Sequence, residues 1–141
     1  MVQVLDIMIK IIPPDRGSDV HGSGAYLAPR GSRTHNGVDK ACLVNSVVLS
    51  CSVGLVTKIG IVYSDPEKAR FRYVQVTNPL GYDLRFFYLD PLVNVGDEIG
   101  RDQPLGTVQE LPYEGITPHF HFEVKKDGKY IDPDKFLASF G

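Results

Sequence analysis

Tryptophan is absent from this 141-residue chain, and cysteine and histidine are scarce, with two and four copies. Two cysteines make no disulfide framework, and neither Cys42 nor Cys51 lies in a C-x-x-C pair of the zinc or redox kind. Both sit among small and apolar residues, so buried free thiols are expected, with a short bridge between neighbouring strands as the alternative. Charge of one sign is lacking too. The net charge is −2 with acids and bases mixed along the chain, so there is no basic stripe for nucleic acid. No apolar run approaches the ~20 residues needed to cross a bilayer, and no membrane insertion is expected. The apolar start "MVQVLDIMIKIIPP" has no basic flank and no small-residue cleavage site, and it carries Asp6 and Lys10 inside the run. It therefore reads as no export signal. Ile7, Ile9 and Ile11 alternate with Met8 and Lys10, which predicts a first strand ending at Pro13-Pro14.

Helix signals are few. The one good candidate is "DPDKFLASF" (132–140), where an Asp followed by Pro opens a short terminal helix. What is present instead is a series of short β-branched and aromatic runs between Gly, Asn, Asp and Pro. Strands are expected over 46–50, 54–63, 71–78 and 83–89, with a hairpin turn around Gly81 and a tight turn in "DGKYI". An all-β domain follows: an N-terminal strand over 1–14, a long loop over 15–37 and a core over 38–141. Non-periodic loops of that length are usually functional or disordered, and this one runs straight into His35.

Two of the four histidines stand in "HFHFEV". Two-residue periodicity puts His119, His121 and Glu123 on one face and Phe120, Phe122 and Val124 on the other, core face. The imidazoles can converge on one ion or substrate, or simply be solvated on a half-buried strand. Upstream, "RTHNGVDKA" offers His35 at the loop end and Asp39 entering a strand. An imidazole and a carboxylate suit Zn²⁺, and a third imidazole from "HFH" would leave a fourth position open, the pattern of a catalytic zinc.

"RTHNGVD" and "PHFHFEV", with "VNVGDEIGRDQPLG" between them and "YIDPDKFL" after, resemble the motifs of the lysostaphin-type zinc endopeptidases. The likeness covers roughly residues 22 to 137. It implies an antiparallel β fold, a sheet or barrel-sandwich with a groove over the sheet. It implies zinc on His35, Asp39 and His121, with His119 a catalytic histidine near metal-activated water. It also implies glycyl or related bonds in the peptide cross-links of peptidoglycan as substrate. Such peptidases carry a further histidine in a Y-x-H-L segment, and along "FFYLDPL" that position falls at Asp90. "HGSGAYLAPRGSRTHNGVDKAC" and "YEGITPHFHFE" also resemble the leukocyte cell-derived chemotaxin domain, which shares the zinc pattern, lacks that histidine and is regarded as a binding protein.

Tyr26, Arg30 and Arg33 on the long loop, Tyr88 and Asp90, and Tyr113 are candidates for the groove, each with a plain packing or solvated reading beside it. His21 could line it as well, and Glu123 is expected to make a hydrogen bond behind the metal or to face solvent. Two functions are expected from this pattern. One is a zinc endopeptidase of peptidoglycan cross-links, in the setting of a phage endolysin or virion-associated lysin that reaches the wall on lysis or on the particle. The other is a catalytically impaired zinc-binding structural or wall-binding module, for example a virion tip component contacting other virion proteins.

Overall fold

The computed structural model describes residues 36–113 and 115–140, with the backbone alone of 18–19, 22–23, 29–30 and 33–34. The expected N-terminal strand over 1–14, and His21, Tyr26 and His35 on the long loop, lie outside the described residues. Within the segment read as loop, β1 (Ser18–Asp19) pairs with β2 (Gly22–Ser23), and β3 (Pro29–Arg30) with β4 (Arg33–Thr34). The chain continues through β5 (Val38–Ala41), β6 (Val47–Leu49), β7 (Gly54–Ile61), β8 (Arg72–Thr77), β9 (Tyr82–Phe87), β10 (Leu89–Pro91), β11 (Glu98–Ile99), β12 (Pro104–Val108), β13 (His119–Lys126) and β14 (Lys129–Ile131). Helix α1 (Pro133–Phe140) follows. Every pairing is antiparallel, as expected for an all-β fold with a short terminal helix.

The main sheet runs β11-β7-β8-β9-β13, and β5 and β14 share the far edge of β13. A smaller sheet runs β10-β12-β6. Alternation decides what each face does. On β8, β9 and β13 the residues Val74, Val76, Leu84, Phe86, Phe120, Phe122 and Val124 point one way and are buried. They form one core with Val48, Leu89, Leu105 and Val108 of the smaller sheet and Phe136 of the helix. A register shift in β7 between Val56 and Lys58 keeps both Val56 and Ile59 on that side, as a bulge does by adding one residue to a strand. Removing Phe122, which is fully buried, would leave a cavity of the kind that costs ~3–5 kcal/mol.

The turns follow their residues. Asp127 and Gly128 both take positive φ, 52° and 79°, between β13 and β14, the two-residue turn that matches strand twist. Asp132 caps the helix, its carboxylate accepting from the Asp134 N–H at 3.0 Å. Asp134 then accepts from the buried Lys40 ammonium at 2.7 Å, which ties the helix to β5.

Cys42 and Cys51 are free thiols, half-buried and buried, with no bridge between them. Burial pushes each up to about 11, outweighing a backbone contact from Phe120 at Cys42 and weaker backbone and Arg101 effects at Cys51. At pH 7.5 the thiolate population is then about 10²-fold below that of an ordinary cysteine. Ellman's reagent should accordingly count essentially no fast thiol in the folded protein and two after denaturation.

Candidate metal and catalytic site

The site lies on the face of the main sheet away from the core, along one row of residues, each contributed by a different strand. Asp39 of β5 stands directly opposite His121 of β13, His121 opposite Phe87 of β9, Phe87 opposite Tyr73 of β8, and Tyr73 opposite Gly60 of β7. The half-buried strand expected for "HFHFEV" is corrected here. All six residues from His119 to Val124 are buried, the histidine face included. Gly37, just before β5, lets the backbone there pass close to that face: a Cβ would meet the Phe122 carbonyl, Glu123 Cγ and His121 Cε1. The glycine of the "HNGVD" stretch is therefore a packing requirement of the site.

Four titratable groups meet on this face. His121 Nδ1 lies 2.9 Å from Asp39 Oδ1, and its Nε2 lies 2.9 Å from Glu123 Oε2. His119 Nδ1 is 2.7 Å from the Thr117 carbonyl, so it carries the hydrogen and donates it. The other nitrogen of a neutral His119, Nε2, then presents its lone pair, 3.5 Å from Asp39 Oδ2. Burial opposes charge on His121, but the hydrogen bonds and charges of Asp39 and Glu123 win and raise its pKa above the ordinary imidazole range. Glu123 Oε1 is buried with no hydrogen-bond partner among the described residues. Two buried carboxylates gather negative charge around the two imidazoles, which a cation would balance.

That donor set fits a divalent ion. Asp39 Oδ1 and His121 Nδ1 converge as two ligands of one small cation do. The Nε2–H of His121 is held by Glu123, the carboxylate–histidine arrangement that fixes which nitrogen is left for the metal. Among the described residues no three His, Cys, Asp or Glu side chains cluster as a complete metal site. The third expected ligand, His35, is outside them.

Beside His119 stands Tyr88, its ring edge-on to the imidazole with centroids 5.9 Å apart. Tyr88 follows β9 with φ of +70°, a conformation that costs an aromatic residue ~1–3 kcal/mol and recurs at functional sites. The turn in the backbone brings Phe87 and Tyr88 both against the histidines, Phe87 at 5.0 Å from His121. Burial raises the Tyr88 phenol well above its usual pKa, aided by the charges of Asp39 and Glu123 and opposed by a hydrogen bond from Tyr63. Asp90, two residues on, is exposed, lies on β10 in the smaller sheet, and accepts from Gln109 Nε2 at 2.9 Å. Tyr88, not Asp90, is therefore the side chain that this segment turns toward His119.

Tyr113 packs with Tyr63 and Lys68 next to Tyr88. The side chains of Arg30 and Arg33 are outside the described residues, although their backbones pair across β3 and β4. Gln75 and Arg85 carried no sequence signal as site residues, whereas Tyr73 and Phe87 read in the sequence as core and groove walls. Gln75 accepts from Arg85 Nε at 2.6 Å, and Arg85 lies over the Tyr73 ring. Tyr73 in turn stacks on Phe87 at 5.2 Å and lies across Gly60, where a Cβ would strike its ring. The result is an aromatic floor leading to His121.

The sequence matches the model of Peptidase family M23 over residues 33–133. It is 32% identical over 110 residues to bovine (Bos taurus) leukocyte cell-derived chemotaxin-2, covering 77% of this chain and 71% of that protein. The fold is similar to that of lysostaphin, with a TM-score of 0.68 and 22% identity over 94% of this chain, although the chain spans only 56% of the lysostaphin chain. It is also similar to a zinc-containing peptidase from Vibrio cholerae, with a TM-score of 0.61 and 24% identity over 86% of this chain and 37% of that one.

Proposed function

The chain belongs to peptidase family M23, and from that membership we propose that it is a zinc endopeptidase that cuts the peptide cross-links of bacterial peptidoglycan. The observation that carries this reading is the register of β5 on β13, which sets Asp39 against His121 with His119 one row away. Asp39, His121 through Nδ1, and His35 hold the metal in this reading. Bound there, zinc supplies Lewis acidity, polarising the scissile carbonyl and acidifying water.

The chain's own residues do the rest. His119 Nε2 takes a proton from the attacking water as the water oxygen bonds to the carbonyl carbon, and the Thr117 carbonyl keeps the ring in the tautomer that allows it. When the C–N bond breaks, that proton passes to the departing nitrogen, leaving a carboxylic acid and an amine, which exchange a proton to become carboxylate and ammonium. Phe87 and Tyr73 give the peptide an apolar floor, and the closed Asp39–His121–Glu123 chain keeps the imidazole from rotating.

The test is to incubate zinc-loaded protein with purified cell walls and analyse the muropeptides. New peptide termini that vanish on chelation are the expected result; intact muropeptides after long incubation overturn the reading. One equivalent of zinc, a large loss of thermal stability on chelation and uncut walls would together mark a zinc-stabilised binding module instead.

Glu123→Gln tests the support behind the metal. The amide keeps the size but weakens the hold on His121 Nε2–H, and zinc affinity measured by competition with a chromophoric chelator should fall ~10–100-fold.

A further inference from the structure

Tyr63, Tyr88 and Tyr113 come from three separate segments and meet at one end of the site. Lys68, on the short 3-10 turn Pro66–Lys68, joins them. Its ammonium lies 5.1 Å from the centre of the Tyr63 ring and 5.6 Å from that of Tyr113. The hydroxyls form a line: Lys68 Nζ to Tyr113 at 3.4 Å, Tyr113 to Tyr63 at 3.4 Å, and Tyr63 to Tyr88 at 3.1 Å.

One order of donors along that line gives every hydrogen an acceptor. An ammonium only donates, and each phenol has one hydrogen. Tyr113 accepts from Lys68 and donates to Tyr63; between Tyr63 and Tyr88 either hydroxyl can donate, and with Tyr63 donating the line ends on the Tyr88 oxygen. The Tyr88 hydrogen is not consumed by the line. It sits on a ring held edge-on to His119 by a left-handed backbone, and donors in series polarise the last of them. The separations are longer than the usual ~2.7–2.8 Å for hydroxyls, as is common before a substrate draws such a line together.

We propose that Tyr88 is a catalytic residue that donates its phenolic hydrogen bond to the substrate carbonyl oxygen as that oxygen gains negative charge, with Tyr63, Tyr113 and Lys68 as positioning residues behind it. The phenol keeps its proton throughout, so no proton needs to be returned between turnovers. This rests on the peptidase reading above, and it locates the oxyanion donor at Tyr88 while leaving Asp90 to the smaller sheet.

Tyr88→Phe removes one oxygen atom and leaves the ring packing in place. In wall or cross-link peptide hydrolysis it should lower kcat about 10²-fold, with KM, zinc content and melting temperature nearly unchanged. Tyr63→Phe, one step back, should cost severalfold at most. A second readout does not need turnover: calorimetric binding of a Gly-Gly phosphinic pseudopeptide, whose oxygens imitate the charged tetrahedral carbon, compared with the Gly-Gly amide peptide. Wild type should prefer the phosphinate, and Tyr88→Phe should lose ten-fold or more of that preference while binding the amide as before. A phosphinate preference unchanged in Tyr88→Phe, or absent from wild type, overturns the proposal even if walls are cut. If walls stay intact while the preference depends on Tyr88, the peptidase reading falls and the donor assignment stands.

Discussion

Replacing His121 with alanine should remove zinc and wall cleavage together, with activity down at least ~10³-fold and less than a tenth of an equivalent of metal retained by elemental analysis. The reason is that His121 is the hub of the site. Its two ring nitrogens are each 2.9 Å from a carboxylate, so its loss would deprive the proposed metal of a ligand and take from Glu123 the imidazole that it holds. Stranding a buried charge by deleting its partner typically costs ~3–5 kcal/mol. The variant should therefore be less stable than wild type even when both are stripped of metal, as read from urea titrations in a chelator. Full zinc content with full hydrolysis in His121→Ala would remove the metal-centre assignment.

The second large effect is expected at His119, and it should divide differently. His119→Gln should retain close to one equivalent of zinc but lose ~10²–10⁴-fold in kcat, the usual contribution of a positioned acid–base group. His119 Nδ1 is committed to the Thr117 carbonyl, and only Nε2 looks into the site. A glutamine can fill the space and cannot take a proton there. KM should change little, because the aromatic floor of Phe87 and Tyr73 is untouched. Exogenous imidazole should restore part of the rate in a His119→Gly variant. Loss of zinc in His119→Gln would instead make it a ligand and reverse the roles of the two histidines.

Several parts of this site are legible in the residues themselves. Period-two alternation in "HFHFEV" puts Phe120, Phe122 and Val124 on the core side and His119, His121 and Glu123 together on the other, and the structure has both faces so. Asp-Gly at 127–128 gives the last hairpin, and Asp132-Pro133 starts the helix, because these depend on local backbone preferences alone. Asp90 went the other way. Reading along "FFYLDPL", nothing announces that the backbone turns left-handed at Tyr88, which shifts the alternation by one and sends Asp90 to Gln109. The burial of the histidine face was also out of reach, since it needs the close approach that Gly37 permits between two distant segments.

By its sequence alone this chain determined its strand faces, its turns, its motif-level likeness to zinc endopeptidases and the residue types available for a metal. The strand faces and turns follow from short-range sterics and the two-residue pleat, and the likeness rests on the motifs themselves. Only the tertiary structure decided that Asp39 and His121, 82 positions apart, share one register. The same holds for Tyr88 as the residue beside His119, and for a line of three phenols and a lysine ending there. Cross-strand register over such a separation is set by how the Phe and Val face packs into a common core. Local preference says which way a side chain points, but not what it will meet.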